Sequence, residues 1–180
     1  MWYSEETAGI NLMAADLQRA NLEGAALQRA NLRFANLEGA RLVNANLQEA
    51  NLNNADLRRA GLTFADLRGA GLVLIDLRGA FPQDADLRRT NLLCADLRGA
   101  HLEGIDLQGA FLKEANLQEV RLAYAKLQGA SLESSHLENV DFFEATSLEG
   151  AYFYNVFLDD TRLKREQLGG AIGEELVGEY

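Results

Sequence analysis

The 180-residue chain has one cysteine, one proline, one tryptophan and two histidines. A lone cysteine excludes a disulfide framework and any Cys-based zinc site. One proline beside 16 glycines excludes collagen-like and Pro-rich sequence. Long hydrophobic runs are missing too: Gly71-Leu72-Val73-Leu74-Ile75 stops at Asp76, far short of a membrane span. Met1 to Thr7 has neither the basic start nor the apolar core of a secretory signal, so the expected location is the cytoplasm, with Cys94 reduced. Basic excess is also lacking. With 27 acidic and 17 basic side chains the net charge is −10, which argues against direct contact with nucleic-acid phosphates or an anionic membrane. Apolar residues make up 48%, too many for a disordered chain. No linker divides the sequence, so one domain is expected.

What is present is a period. Of the 27 positions reached in steps of five from 12 to 142, leucine fills 25; Pro82 and Phe142 are the exceptions. Two residues before each centre, alanine fills 20 of 27 places, and Asp or Asn fills 16 of the 27 between them. The unit is Ala-(Asp/Asn)-Leu-x-x, as in Ala55-Asp56-Leu57-Arg58-Arg59. A period of five fits neither a helix nor a flat strand. In extended backbone, however, Ala and Leu point the same way and Asp or Asn points out. The two variable residues then turn a corner, and the coil stacks on itself to satisfy its backbone. The expected fold is an all-β solenoid with coils about 4.8 Å apart.

Sorting the outward residue every 20 positions gives four columns, hence four sides per coil. The first is mostly Asn (Asn11, Asn31, Asn51, Asn91), the second mostly Asp (Asp16, Asp56, Asp76, Asp96), and the fourth holds Asp66, Asp86 and Asp106. The third abandons the rule with Arg41, Gly61, Phe81, His101 and Arg121. On these residues the run from Ile10 to Asp141 resembles the pentapeptide-repeat family. The resemblance implies a right-handed quadrilateral β-helix of about eight coils, with Leu and Ala filling a narrow interior. It covers 10–158, with a one-residue slip in register at 142–148 and a local distortion expected at Pro82. Residues 1–9, including Trp2 and Tyr3, form the expected N-terminal cap. Residues 159–180 form the C-terminal one, with Asp160 or Thr161 capping a short helix that Gly169-Gly170 ends.

Nothing here points to an enzyme, a cofactor or a metal. His101 and His136 are 35 residues apart in different columns, no Ser-His-Asp or Cys-His pairing is indicated, and no phosphate loop appears in the sequence. The Asp columns look like paired carboxylates, but Asp56, Asp66, Asp76, Asp86 and Asp96 each precede an Arg by two residues (Arg58, Arg68, Arg78, Arg88 and Arg98), so they read as structural ion-pair ladders. Candidate protein-binding residues are Arg41, Phe81, His101 and Arg121 in the third column, with Phe64 and Tyr124 at its following corner, because Arg and aromatics anchor interfaces. A second candidate is an apolar patch at the first corner: Phe34, Val73, Leu74, Leu93 and Cys94. A third is the aromatic end, Tyr152, Tyr154 and Phe157, since in family members with a similar tail that end forms a homodimer.

The expected function is a non-catalytic interaction protein, a rigid rod presenting side-chain ladders to a protein partner. The alternative comes from the resemblance: some family members mimic duplex DNA, bind DNA gyrase and confer quinolone resistance. Charge placement weakens that alternative. Residues 1–130 hold 16 acids and 14 bases, whereas 131–180 hold 11 acids and 3 bases, so the acidity gathers at one end.

Overall fold

The structure is a computed structural model that describes residues 9–142, 146–161, 163 and 170–177. The N-terminal cap before Gly9 and the helix expected over 162–168 lie outside the described residues, Leu163 apart.

Each pentapeptide is one side of a square coil, and each side pairs in parallel with the residue 20 positions on, as in Asn31↔Asn51 and Asp56↔Asp76. The interior is Leu on Leu and Ala on Ala: Leu52, Leu72, Leu92, Leu112 and Leu132 form one fully buried column. Burying a Leu side chain contributes about 1.5–3 kcal/mol, so the repeated centre supplies the drive to coil. Where a hydroxyl replaces the Ala it bonds a carbonyl: Thr90 Oγ1 donates to Leu87 O at 2.7 Å, and Ser135 Oγ to Leu132 O at 2.7 Å.

The unit accounts for all five of its backbone N–H groups. In the turn holding Asp56, the N–H of Asp56 donates to Ala35 O of the coil before, and that of Leu57 to Asp76 O of the coil after. The N–H of Arg59 donates to Arg78 O, and that of Ala60 closes the corner on Leu57 O. The fifth, on Arg58, donates to the Asp56 side chain at 3.1 Å. Asp or Asn before the Leu therefore accepts an N–H that the coil geometry otherwise orphans. The residue after it, Arg59, has φ of 58°, and the equivalent place is left-handed at every described corner. A positive φ at the third residue of the Leu57–Ala60 turn is what a type II turn demands.

Two irregularities interrupt the rod. Pro82 has no N–H to offer His101 O, the 81/101 rung is absent from an otherwise regular run of bridges, and Leu102 N to Arg121 O is stretched to 3.2 Å. After Asp141 the spacing becomes 21, with Lys126↔Ser147 and Ser131↔Tyr152 paired. Near the end, β1 (Tyr152–Phe157) pairs in parallel with β2 (Ile172–Val177). Asp160 takes the left-handed corner position (φ 55°), and Thr161 Oγ1 donates inward to Leu137 O at 2.8 Å.

Candidate interaction surface

Two sides carry the charged ladders. Each Arg clasps its own Asp, with Arg58 Nη2 2.6 Å from Asp56 Oδ2 and Arg88 Nη2 2.6 Å from Asp86 Oδ2. Arg58, Arg68, Arg78 and Arg88 also lean to the next coil, with Arg58 Nε 3.7 Å from Asp76 and Arg78 Nε 3.7 Å from Asp96. Hydrogen bonds from Arg58 and Arg68 hold the Asp56 and Asp66 carboxyls below the usual carboxylate range. At Asp86 and Asp96 burial pushes the other way, but the bonds from Arg88 and Arg98 outweigh it. The same carboxylates accept the Arg backbone N–H, so the ladders serve the fold.

The third side is different because its column has given up Asp and Asn. Among the described residues, the N–H groups of Val43, Thr63, Gln83, Glu103 and Ala123 have no acceptor within the chain. The column beside them does come together on one side: Arg41↔Gly61↔Phe81 and His101↔Arg121↔Asp141 are consecutive rungs. Phe81 and His101 bridge the rung that Pro82 breaks by stacking, ring centroids 5.0 Å apart. Arg41 pairs with Glu23 at 2.8 Å. At the following corner Phe64 and Tyr124 stand exposed in left-handed turn positions, three coils apart. Glu103 lies between His101 and Arg121, at 3.9 and 4.0 Å, and its Oε2 is buried without a partner.

The first corner holds the apolar candidates. Phe34, Leu74 and Cys94 occupy left-handed positions and Val73 and Leu93 the places before them; Leu74 N donates to Leu93 O. The Arg33 guanidinium covers the Phe34 ring at 5.3 Å. Burial, and then a 3.5 Å contact with Glu114, push the Cys94 thiol up, which makes it a poor nucleophile at neutral pH. Sequence reasoning missed Phe111, which is 58% exposed in the outward column of this same side, between Asn91 and Ser131. Its signal was legible: it breaks the Asn column as Phe81 breaks the third. Above it come Tyr152, over Ser131, and Tyr154, whose rings lie 6.4 Å apart. The C-terminal aromatics are thus divided between sides, for Phe157 stacks on His136 at 4.6 Å on the second. Among the described residues no group of three or more His, Cys, Asp or Glu could hold a metal ion.

A four-sided parallel coil with a Leu/Ala interior defines the class, a right-handed quadrilateral β-helix. The chain belongs to the pentapeptide-repeat family: the family model, pentapeptide repeats, matches in 8 copies over 10–48, 35–72, 75–104, 100–139 and 125–165. A trypsin-treated form of QnrB1, a plasmid-mediated fluoroquinolone resistance protein, is 22% identical, with 88% of this chain and 77% of that chain covered and a TM-score of 0.68, a likeness of fold. HetL, a pentapeptide repeat protein involved in heterocyst differentiation regulation from the cyanobacterium Nostoc sp. strain PCC 7120, is 28% identical over 93% of this chain and 86% of its own, with a TM-score of 0.38. Rfr23 from the cyanobacterium Cyanothece 51142 is 27% identical over 67% and 65%, with a TM-score of 0.34. No curated protein matches the chain.

Proposed function

We propose that this protein is a non-catalytic interaction module of the cytoplasm, a rigid rod whose third side docks a protein partner. One observation carries the reading: on that side the chain gives up the Asp/Asn acceptors over five consecutive coils, from Arg41 to Arg121, a longer run than the Phe111, Ser131, Tyr152 run on the first side. It leaves a row of backbone donors unpaired beside Arg41, Phe81, His101 and Arg121. Elsewhere those acceptors complete the fold, so their replacement sacrifices local satisfaction for surface chemistry. A pull-down from native cytoplasm with Phe64, Phe81 and Tyr124 changed to Ala tests it. Loss of a specific partner is expected; an unchanged partner set refutes the third side as the interface.

The gyrase-inhibitor alternative draws on the fold likeness to QnrB1, a fluoroquinolone resistance protein. Against it, Asp56, Asp66, Asp76, Asp86 and Asp96 along the rod are each matched by an arginine, unlike the continuous negative charge of duplex DNA. Absence of gyrase supercoiling inhibition at micromolar protein would exclude it. Homodimerisation through the C-terminal end, with Tyr152 and Tyr154 exposed on β1, belongs to the same proposal. Sedimentation of the Tyr152→Ala, Tyr154→Ala protein should then show a monomer.

A further inference from the structure

The first side of the rod carries apolar groups over most of its height. Phe34 and Leu74 stand exposed at the corner that ends it, with Val73, Leu93 and Cys94 half-buried beside them. Phe111 and Tyr152 project from its outward column. A continuous strip of exposed apolar groups marks a contact surface.

The two edges of this side carry charge in a definite order. At the corner that leads into it, the left-handed positions are Arg29, Glu49, Gly69, Arg89, Gly109 and Gly129. Their side chains lean toward the next coil: Glu49 Cγ would lie 3.8 Å from a Cβ on Gly69, and Arg89 Cγ 3.7 Å from one on Gly109. Glu49 holds Arg29 at 2.8 Å through one oxygen, while Arg89 has no ion pair among the described residues. At the other edge Glu133 holds Lys113 at 2.8 Å through one oxygen. Arg33 lies over the Phe34 ring and has no ion pair among the described residues.

These positions complement themselves about a line drawn across the side midway between the coils of Leu74 and Cys94. Turning the rod end for end about that line brings Leu74 level with Cys94, Val73 with Leu93, Arg33 with Glu133 and Phe34 with Ser134. At the opposite edge it brings Arg89 level with Gly69, Glu49 with Gly109 and Arg29 with Gly129, so every long side chain there meets a glycine.

We propose that a second copy of this chain packs on the first side in that antiparallel arrangement, as an isologous dimer. Val73 and Leu74 close on the partner's Leu93 and the partner's Cys94 at the centre. Arg33 reaches the partner's Glu133, and Arg89 leans toward the partner's Glu49. Twofold symmetry makes each of these contacts twice. A parallel copy would set Arg33 level with the partner's Arg33 and lose both pairings. The side is about 38 Å tall and, with its corner side chains, about 15 Å wide, so the dimer buries about 1,100 Å² in total. That just clears the size of a specific interface, as suits a dimer that dissociates on dilution. The third side lies on the opposite face of the coil and stays open on both copies for the docking proposed above.

Sedimentation of the full chain over a micromolar concentration series should show a monomer–dimer equilibrium. In the antiparallel dimer the two Cys94 Cα atoms are about 11 Å apart, from one coil rise along the rod and about 10 Å between the facing sides. That is too far for a disulfide but within reach of an ethylene-bridged bismaleimide. The reagent should trap a covalent dimer at mildly alkaline pH, where the raised Cys94 thiol ionises. A dimer joined at the C-terminal ends keeps the two thiols about 40 Å apart and gives no such product. Leu74→Arg, at a corner position that Arg59 and Arg89 occupy elsewhere, should weaken the dimer at least about tenfold. Arg33→Glu should weaken it about tenfold, because each contact is made twice. Arg59→Glu makes the same charge change at the second corner and should leave the dimer constant within about twofold. A monomer at every concentration, a dimer without the cross-link, or equal losses from Arg33→Glu and Arg59→Glu would overturn the proposal. So would a dimer that survives Leu74→Arg but is lost in Tyr152→Ala, Tyr154→Ala, which would move the contact to the C-terminal end. Partner capture by the third side is a separate readout, and neither result decides the other.

Discussion

Gly99 and Gly61 separate backbone strain from every other effect of adding a methyl group. A Cβ built on either meets no atom within 4 Å, so neither substitution to Ala collides with anything. They differ in backbone: Gly99 sits in the left-handed corner position with φ of +64°, whereas Gly61 lies on a side and shows no positive φ. Replacing Gly by Ala restricts the unfolded chain and stabilises by about 0.4–1 kcal/mol where the native conformation suits Ala. An Ala in the left-handed region costs about 1–2 kcal/mol. Gly61→Ala should therefore stabilise the protein, and Gly99→Ala should destabilise it or leave it nearly unchanged. The unfolded-state contribution is common to both, so the gap between the two variants is the strain alone, about 1–2 kcal/mol. For a chain of this size that gap is about 2–8 °C in Tm. Thermal unfolding followed by circular dichroism reads it directly. Equal Tm values for the two variants would show that the corner carries no left-handed strain, and would refute the account of the fifth repeat position.

Two further outcomes follow from burial and charge. Leu72→Ala, in a fully buried column, should cost about 2–5 kcal/mol in urea unfolding, while Leu74→Ala two residues away, 55% exposed, should stay within about 0.5 kcal/mol. The carboxyls of Asp56, Asp66, Asp86 and Asp96 are depressed in the folded state, so their contribution is present above the unfolded carboxylate value near 3.9 and is lost as pH falls through the lower folded values. The urea midpoint should accordingly hold steady down to about pH 5 and drop below about pH 4, and Arg58→Gln should flatten part of that drop; an acid limb unchanged by removing the arginines would refute the ladder account.

The pattern of the repeat carried most of the architecture because each unit repeats one physical problem. Ala and Leu two apart in extended backbone can only face inward together, and a 20-residue recurrence of column identity can only mean four sides. The slip at 142–148 and the disturbance at Pro82 were legible for the same reason, as a lost spacing and a lost N–H. The left-handed corners left a fainter trace: none of the non-glycine residues with positive φ is Val, Ile or Thr, whereas Val43, Thr63 and Val73 occupy the place just before. The reason for Asp or Asn was not legible, since a polar outward residue reads equally well as mere solubility.

The sequence by itself determined the coil, its four sides, its interior and the odd character of the third column, because these depend on local period and on which side chains avoid water. Tertiary structure alone decided which orphaned N–H each aspartate caps, that Phe81 and His101 stack across the rung Pro82 breaks, and that Phe111, Tyr152 and Tyr154 share one side with Phe34 and Leu74. It also decided that Glu49 leans over Gly69 and Arg89 over Gly109 at the edge of that side. Those relations join residues 20 or more positions apart through the stacking of coils, and a period read along the chain carries spacing but not the direction in which a side chain leans across its neighbours.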